Sequence, residues 1–301
     1  MLEIKDKYIT EFNKDNKEVA RCKDGDIVKF YTKDCFNDLV RCEADREKMN
    51  SLPGNPATGP LYVEDLKPGD VLKVSILDIK VDDFGICSTM KDCGVLWKNN
   101  ELRTKEFNID DNKTKFNDLT LEIKPMIGVI GLSPSDKGIS TEDAWCHGGN
   151  MDCPLLNKGT SIYLPCEVNG GLLAIGDLHA LMGDGEIVGT GIEIKGEVTV
   201  KVNVIKNFKL NWPLLETEDA YYINANGETC NKAFTRAFLE MQRLVAKTKD
   251  WDNTDAAIYL SLRGITATNQ SCMSDHIDHE EMGPNCRVGV YKKEINIMKN
   301  S

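Results

Sequence analysis

The chain has 301 residues, 41% hydrophobic and 28% charged, which is the balance of a globular protein that can bury a sizeable core. Its net charge of −11 opposes general binding to nucleic acid, because the phosphate backbone would be repelled. No apolar run is long enough to span a bilayer, and the N-terminus lacks a signal peptide's apolar stretch. We therefore expect a cytoplasmic protein with no nucleic-acid or membrane partner.

The eleven cysteines indicate reduced thiols rather than a disulfide framework. Their number is odd, no two form a C-x-x-C pair, and no export signal accompanies them. Most are expected to be small buried hydrophobes. Cys146, which stands beside His147, is the best candidate for a nucleophile.

Short strands separated by turns are predicted through the first half of the chain. Ile27–Thr32 alternates apolar and polar residues, and Val71–Val81 and Met126–Leu132 also have strand character. Arg41–Leu52 is charged and weakly helical, whereas Lys98–Asn117 is polar and expected to be irregular. This half of the chain therefore predicts a β-rich structure.

The middle of the chain strengthens the β prediction. Ser161–Glu167 and the apolar runs Leu172–Ile175 and Ile187–Ile194 are strand-like. Glu197–Ile205 alternates valines with polar residues, the period of a half-buried strand. Strand after short strand, divided by Gly and Pro, indicates a sandwich or barrel and excludes a doubly wound sheet.

Two helices are predicted near the end of the chain. Apolar residues recur at helical spacing across Asn231–Lys247, and Thr254 is expected to cap a second helix, Asp255–Leu262. The predicted fold is mainly β, with packed sheets of the sandwich or barrel type and a smaller C-terminal α/β element. We expect residues 1–205 to form the β-rich domain and residues 206–301 to pack on it.

One Gly-rich segment, Gly176–Glu186, concentrates acids and a histidine between apolar runs. In extended backbone, residues two apart point to the same side, so Asp177 and His179 should share a side, as should Asp184 and Glu186. Hard oxygen ligands beside an imidazole form a plausible divalent-metal or acid/base site. The alternative is an ordinary polar hairpin loop.

A second segment upstream has a similar composition, with Asn150 and Asp152 following two glycines. Together with Asp177, His179 and Glu186, these residues could surround one or two hard or borderline cations, although a plain turn is the alternative. A metal there would polarise a carbonyl oxygen and lower the pKa of a bound water from about 15.7 towards 7. Glu186 is the candidate for moving the proton.

Two further sites are weaker candidates. Asp34 ends a strand and an aromatic residue follows it, so it is either a ligand or an exposed strand-end acid. His276 and His279 would share a helix face and could hold a separate zinc ion. A charged surface turn is the alternative for that stretch.

These motifs, in their order along the chain, resemble the acetamidase/formamidase family. The resemblance is carried by Gly148–Asp152, Leu164-Pro165 and Gly176–Glu186, preceded by Asn55–Val63 and Pro68-Gly69-Asp70. It runs from about residue 20 to about residue 265. The stretch 266–272 departs from the family's pattern.

The resemblance implies a β-rich fold of packed sheets with a smaller α/β element, and hydrolysis of short aliphatic amides to carboxylate and ammonia. It also implies a divalent metal, zinc or calcium. The family's polar positions fall on Asp34, Asn150, Asp152, Asp177, His179 and Glu186.

We therefore predict a metal-dependent amidohydrolase that acts on a short amide such as formamide or acetamide. The predicted metal ligands are Asp34, Asn150, Asp152, Asp177 and His179, and the predicted catalytic acids are Glu186 and Asp184. One alternative is a thiol-dependent amidase that uses Cys146, and another is a non-catalytic β protein that binds metal or a small ligand. We also expect a homo-oligomer, with a dimer as its simplest form.

Overall fold

The computed structural model describes residues 1–52, 54–271 and 283–299. His276 and His279, the predicted separate zinc site, lie outside the described residues. So does Cys272.

The described residues are predominantly β-strand, and the strands are numbered in chain order. They are β1 (Leu2–Ile4), β2 (Tyr8–Ile9), β3 (Glu11–Phe12), β4 (Ala20–Cys22), β5 (Ile27–Thr32), β6 (Ala57–Val63), β7 (Val71–Val81), β8 (Phe84–Ser88), β9 (Thr104–Asn108), β10 (Lys113–Phe116), β11 (Leu119–Glu122), β12 (Met126–Gly131), β13 (Ile139–Ser140), β14 (Ala144–Trp145), β15 (Gly148–Asn150), β16 (Ser161–Pro165), β17 (Leu173–His179), β18 (Glu193–Ile194), β19 (Gly196–Ile205), β20 (Leu214–Glu216), β21 (Ala220–Asn226), β22 (Ile265–Gln270) and β23 (Asn285–Tyr291). Two 3₁₀ segments, Glu43–Ser51 and Trp97–Asn99, lie among them.

The strands form two large sheets that pack face to face. One has the order β1-β5-β19-β7-β16-β20-β21-β23-β22, and the other β14-β15-β12-β17-β18-β8-β9, with β6 paired to β17, β2 and β4. Val198 and Val200 of the first sheet share one buried core with Ile130 and Ile175 of the second. The predicted mainly β fold of packed sheets is confirmed.

The C-terminal helices pack on the far end of the first sheet. Helix α1 (Cys230–Lys249) buries its apolar face against β21 and β23 and forms a second core there. Helix α2 (Asn253–Arg263) begins at Asp252, whose carboxylate accepts a hydrogen bond from Asp255 N at 2.8 Å. Asp252, and not Thr254, is therefore the cap. The division into residues 1–205 and 206–301 stays a prediction.

No helix among the described residues combines the length and apolarity that crossing a membrane requires.

Two segments have a different secondary structure from the one predicted. Lys98–Asn117, expected to be irregular, contains β9 and β10, because β9 pairs with β8 and buries Phe107. Ile187–Ile194, expected to be a strand, is extended only at β18. The chain turns first at Gly189, whose N–H donates to Glu186 O at 2.9 Å.

Candidate active site

Four carboxylates surround one imidazole inside the second sheet. His179 Nε2 lies 3.2 Å from Glu193 Oε1 and 3.5 Å from Asp177 Oδ1. It lies 4.0 Å from both Asp152 Oδ1 and Glu186 Oε1. All five side chains are between 1% and 5% exposed, so their charges are almost fully removed from water.

Neighbouring elements bring these side chains together. Asp177 and His179 end β17, and Glu193 stands directly opposite His179 on β18, so these two side chains face each other. Asp152 follows β15, and Glu186 lies in the loop between β17 and β18. The structure therefore brings together four of the residues singled out in the sequence and adds Glu193.

Three of the acids adopt a backbone conformation that is uncommon for residues with a side chain. The φ angles of Asp152, Asp177 and Glu186 are 45°, 55° and 40°. Such geometry costs about 1–3 kcal/mol per residue and persists where the surrounding structure enforces it. Here the strain lies in the acids that face His179.

Two glycines leave the space that the cluster occupies. A Cβ on Gly128 would lie 2.6 Å from Asp177 Oδ2 and 2.7 Å from Asp152 Oδ1. A Cβ on Gly191 would lie 2.8 Å from His179 Nδ1. Neither distance is compatible with a real side chain, so the glycines form a cradle for the carboxylates and the imidazole.

Burial and mutual repulsion govern the protonation of the cluster. Burial, reinforced by Asp177, raises the pKa of Asp152 to about 8 and that of Glu193 to about 7, although His179 partly opposes both shifts. Burial and Asp152 raise the pKa of Glu186 well above its usual value. Burial acts against charge on His179 too, but Glu193 and Asp177 raise its pKa well above the ordinary value. The cluster therefore has more carboxylates than it can ionise without added positive charge.

Four side-chain atoms of this cluster that could bind a metal are buried without a hydrogen-bond partner. They are Asp152 Oδ1, Asp177 Oδ1, His179 Nε2 and Glu193 Oε2. A buried polar atom without a partner costs about 1–3 kcal/mol, and more if it is charged. Oxygen and imidazole nitrogen atoms in this arrangement match the donor set of a divalent cation.

The possible ligands fall into two adjacent groups. Atoms of Asp152, His179 and Glu186 lie within 4.8 Å of one another, as do atoms of Cys35, Asp177 and Glu193. A single cation, or two close together, would fit between such atoms.

A cavity of about 270 Å³ gives access to the cluster. Asp177, Glu186 and Glu193 form its polar side, and its apolar wall consists of Phe36, Met49, Leu52 and Met90. The cavity can therefore present a small molecule with one polar end to the carboxylates.

Asp34 and Asn150 form their hydrogen bonds with residues outside the cluster. Asp34 Oδ1 accepts hydrogen bonds from Phe36 N at 3.0 Å and Asp38 N at 2.7 Å, and burial raises the pKa of this acid to about 6. Asn150 Nδ2 donates to Glu142 O at 3.2 Å, while Asn150 Oδ1 is buried without a hydrogen-bond partner. Their roles as ligands stay predictions.

Asp184 does not share a side with Glu186, so this expectation is wrong. Gly185 and Glu186 both have positive φ, and the backbone between the two acids is not extended. The Asp184 side chain is 53% exposed, and its Oδ1 accepts a hydrogen bond from Arg287 Nη2 at 2.8 Å. It therefore lies outside the carboxylate cluster.

The pair of Asp184 and Arg287 belongs to a network that holds this loop against the C-terminal strands. Arg287 Nη1 donates to Asn269 Oδ1 at 2.6 Å, and the Asn269 carbonyl accepts from Gly185 N at 2.9 Å. Ser271 Oγ donates to Gly185 O at 2.7 Å. Residues of β22 and β23 thus fix the loop immediately before Glu186.

The sequence analysis missed Glu193 and Cys35. Glu193 carried a signal, because an acid between Ile192 and Ile194 in an apolar run is expected to be buried. For Cys35, the sequence offers no indication of a site beyond its place next to Asp34. Burial, followed by Glu193 and Asp177, raises the pKa of the Cys35 thiol well above its usual value.

Cys146 does not have the surroundings of a nucleophile. Burial and the adjacent Glu167 raise the pKa of its thiol to about 12, and Sγ lies 3.8 Å from Glu167 Oε1. The ring nitrogens of His147 have no hydrogen-bond partner, so His147 does not act on the thiol as a base. The thiol-dependent alternative is therefore not favoured.

The chain is similar to known proteins over most of its length. The model of the Acetamidase/Formamidase family matches residues 3–144 and 136–272. The crystal structure of an acetamidase from Bacillus halodurans has a TM-score of 0.90 and 37% identity, covering 97% of this chain and 98% of that one.

Two curated relatives match over a shorter stretch. A formamidase of Methylophilus methylotrophus is 48% identical over 62 residues, and an acetamidase of Mycolicibacterium smegmatis is 43% identical over 61 residues. Each alignment covers 20% of this chain and 15% of the relative. The matched segment therefore spans only a small part of each of these enzymes.

Replacing Gly128 by alanine tests the cradle. The new Cβ would force apart the carboxylates of Asp152 and Asp177, so we expect divalent-cation affinity to fall about 100-fold while the fold is retained. Isothermal titration with Zn²⁺ and a circular dichroism spectrum measure both properties. Gly183→Ala is the matched control, because a Cβ there meets no atom within 4 Å. Equal affinities of the two variants would contradict the assignment.

Replacing Asp184 by alanine tests the loop network. We expect faster hydrogen exchange at the amides of Gly185 and Glu186 and about tenfold weaker cation binding. Global stability should change by less than about 1 kcal/mol, because the pair is partly exposed. Glu294→Ala, which removes a 2.7 Å pair with Arg263 at the surface, is the control. Unchanged exchange in the Asp184 variant would show that the pair does not hold the loop.

Proposed function

The chain belongs to the acetamidase/formamidase family, and we propose that it hydrolyses short aliphatic amides to a carboxylate and ammonia. The observation that carries the proposal is the buried cluster of Asp152, Asp177, His179, Glu186 and Glu193, which lies beside a small cavity. Four of these residues, Asp152, Asp177, His179 and Glu193, each bury one side-chain atom that has no hydrogen-bond partner. We propose formamide and acetamide as the first substrates to test, because the resemblance of the sequence motifs to the acetamidase/formamidase family implies them.

We propose that the cluster holds a divalent cation, zinc or calcium. Carboxylate oxygens suit both ions, while the imidazole of His179 favours zinc. A cation bound there would polarise the amide carbonyl and lower the pKa of water at the site. Of the five ligands predicted from the sequence, Asp152, Asp177 and His179 lie in the cluster, and Glu193 joins them by its position. Asp34 and Asn150 remain proposed ligands.

Glu186 is the proposed proton carrier. It lines the cavity, so a bound amide is within its reach. Burial and the neighbouring Asp152 raise its pKa, so its ionised carboxylate is a stronger base than usual. The carboxylate would take the proton from the attacking water, and the carboxyl formed in this way would deliver that proton to the leaving nitrogen. Hydrolysis needs this delivery, because an amide nitrogen leaves as the neutral amine or ammonia.

The apolar wall would position the acyl group. Phe36, Met49 and Leu52 line the same cavity as the carboxylates, and their side chains offer no hydrogen bond to the substrate. An amide would place its carbonyl and nitrogen toward Glu186 and Glu193 and its alkyl part against this wall. The arrangement favours short, uncharged acyl groups.

The proposal also includes the cellular location and the partners of the enzyme. We propose a cytoplasmic enzyme that works as a homo-oligomer, with a dimer as the simplest form, and has no nucleic-acid partner. The net charge of −11 supports the last point.

Ammonia release from a panel of amides tests the activity. We expect turnover of formamide or acetamide, loss after chelation, and recovery after the cation is added back. Asp177→Asn should lower kcat/KM by at least about 100-fold, because it removes a charge from the site. Cys146→Ala is the control and should keep full activity. No ammonia from any amide under reconstituted conditions would refute the proposal, and activity that resists chelation but not alkylation would favour a thiol enzyme.

The stabilisation that a cation gives should grow with pH. In the cation-free protein the pKa of Asp152 is about 8 and that of Glu193 about 7, against ordinary values of 3.8 and 4.5. Folding therefore favours the protonated carboxyls, and stability falls as pH rises from about 4 towards 8. A cation replaces those protons, so we expect the increase in Tm with Ca²⁺ to be larger at pH 8 than at pH 5.5. An increase independent of pH would show that the cation binds elsewhere.

A further inference from the structure

Cys35 shares a group with two carboxylates of the site. Its Sγ and oxygens of Asp177 and Glu193 lie within 4.8 Å of one another, and Cys35 also lines the cavity. The thiol follows β5 in a turn that is held by hydrogen bonds to Asp34 Oδ1 from Phe36 N and Asp38 N. Its position is therefore set by the backbone.

The two carboxylates of this group have unused ligand atoms. Asp177 Oδ1 and Glu193 Oε2 have no hydrogen-bond partner, and their side chains are 4% and 2% exposed. The other oxygen of Glu193, Oε1, accepts from Gly191 N at 2.8 Å. One oxygen thus fixes the carboxylate and the other remains available to a ligand.

Charge balance favours a second cation. A divalent cation held by Asp152 and His179 would offset two negative charges and keep the imidazole neutral. His179 is the base that lies within 4.0 Å of Asp177 and Glu193 among the described residues, so the charges of these two carboxylates would then remain unbalanced. A second divalent cation would offset these as well.

We infer that Cys35, Asp177 and Glu193 form a second cation position that selects thiophilic ions such as zinc. This inference rests on the proposed cation site and adds a ligand and a selectivity to it. Calcium takes oxygen ligands, whereas zinc and cobalt accept a thiolate beside carboxylates. Coordination deprotonates the thiol, so the proton of Cys35 leaves as the cation enters. The position next to Asp152, His179 and Glu186 has no sulfur ligand in its group, and so the two positions differ in preference.

Cobalt substitution tests the assignment in the full-length protein. A thiolate bound to Co²⁺ absorbs in the near ultraviolet, and we expect this band in the wild-type protein after titration with Co²⁺. Cys35→Ser, which is nearly isosteric, should abolish most of the band and lower the bound cation from about two equivalents to about one. Cys93→Ala is the control, because Cys93 lines the same cavity outside the group and its removal should leave band and stoichiometry unchanged.

The outcomes separate this inference from the proposed activity. A Cys35→Ser variant with the wild-type band and stoichiometry would overturn the inference, and so would a wild-type protein without the band. Ammonia release is measured on the same samples. A Cys35-dependent band without turnover of any amide would refute the amidase proposal but support the cation position. Unchanged melting curves of both variants confirm that the differences arise from ligands and not from unfolding.

Discussion

The structure depends on the repulsion among four carboxylates that share one buried pocket with a single imidazole. In water these charges would be screened, but a pocket whose side chains are at most 5% exposed offers little screening. The cluster must therefore bind protons or a cation, and the raised pKa values of Asp152, Glu186 and Glu193 show the first of these solutions in the cation-free chain. A cation must displace these protons in order to bind, so its affinity should rise with pH.

Such a cluster needs a rigid surround, because each acid would otherwise rotate towards water. The second sheet supplies it: β17 is held by β12 on one side and by β6 and β18 on the other. The left-handed backbone of Asp152, Asp177 and Glu186 is the local cost of aiming three acids at one point. Gly128 completes the arrangement by leaving the space that the oxygens of Asp152 and Asp177 occupy.

The sequence predicted most of this fold because its strands alternate strongly. Ile27–Thr32 and Val71–Val81 are strands with the predicted bounds, and the alternating valines of β19 do face the core. Composition also located Asp177 and His179, whose side chains converge as expected. The approach of Asp152 to them could not be derived from spacing, since it depends on the pairing of β12 with both β15 and β17.

The errors have a common origin in backbone geometry. The rule that residues two apart share a side holds in extended strands, and it fails at Asp184 and Glu186 because Gly185 and Glu186 have positive φ. Glu193 is absent from the predicted site because the apolar run Ile187–Ile194 indicates a plain strand, although only its last two residues are extended. Local pattern therefore finds acids near the site but does not show which of them turn inward.

The C-terminal element holds the loop that contains Glu186. Asn269 and Ser271, within the last segment that the family model matches, bind the backbone of Gly185, one residue before Glu186. Arg287 connects this contact to Asp184 at the surface. Because a shift of about 1 Å in a catalytic group can change a rate 100-fold, sequence changes in these strands can alter the chemistry without contacting the substrate. The C-terminal α/β element therefore helps to set the position of Glu186 relative to the rest of the carboxylate cluster.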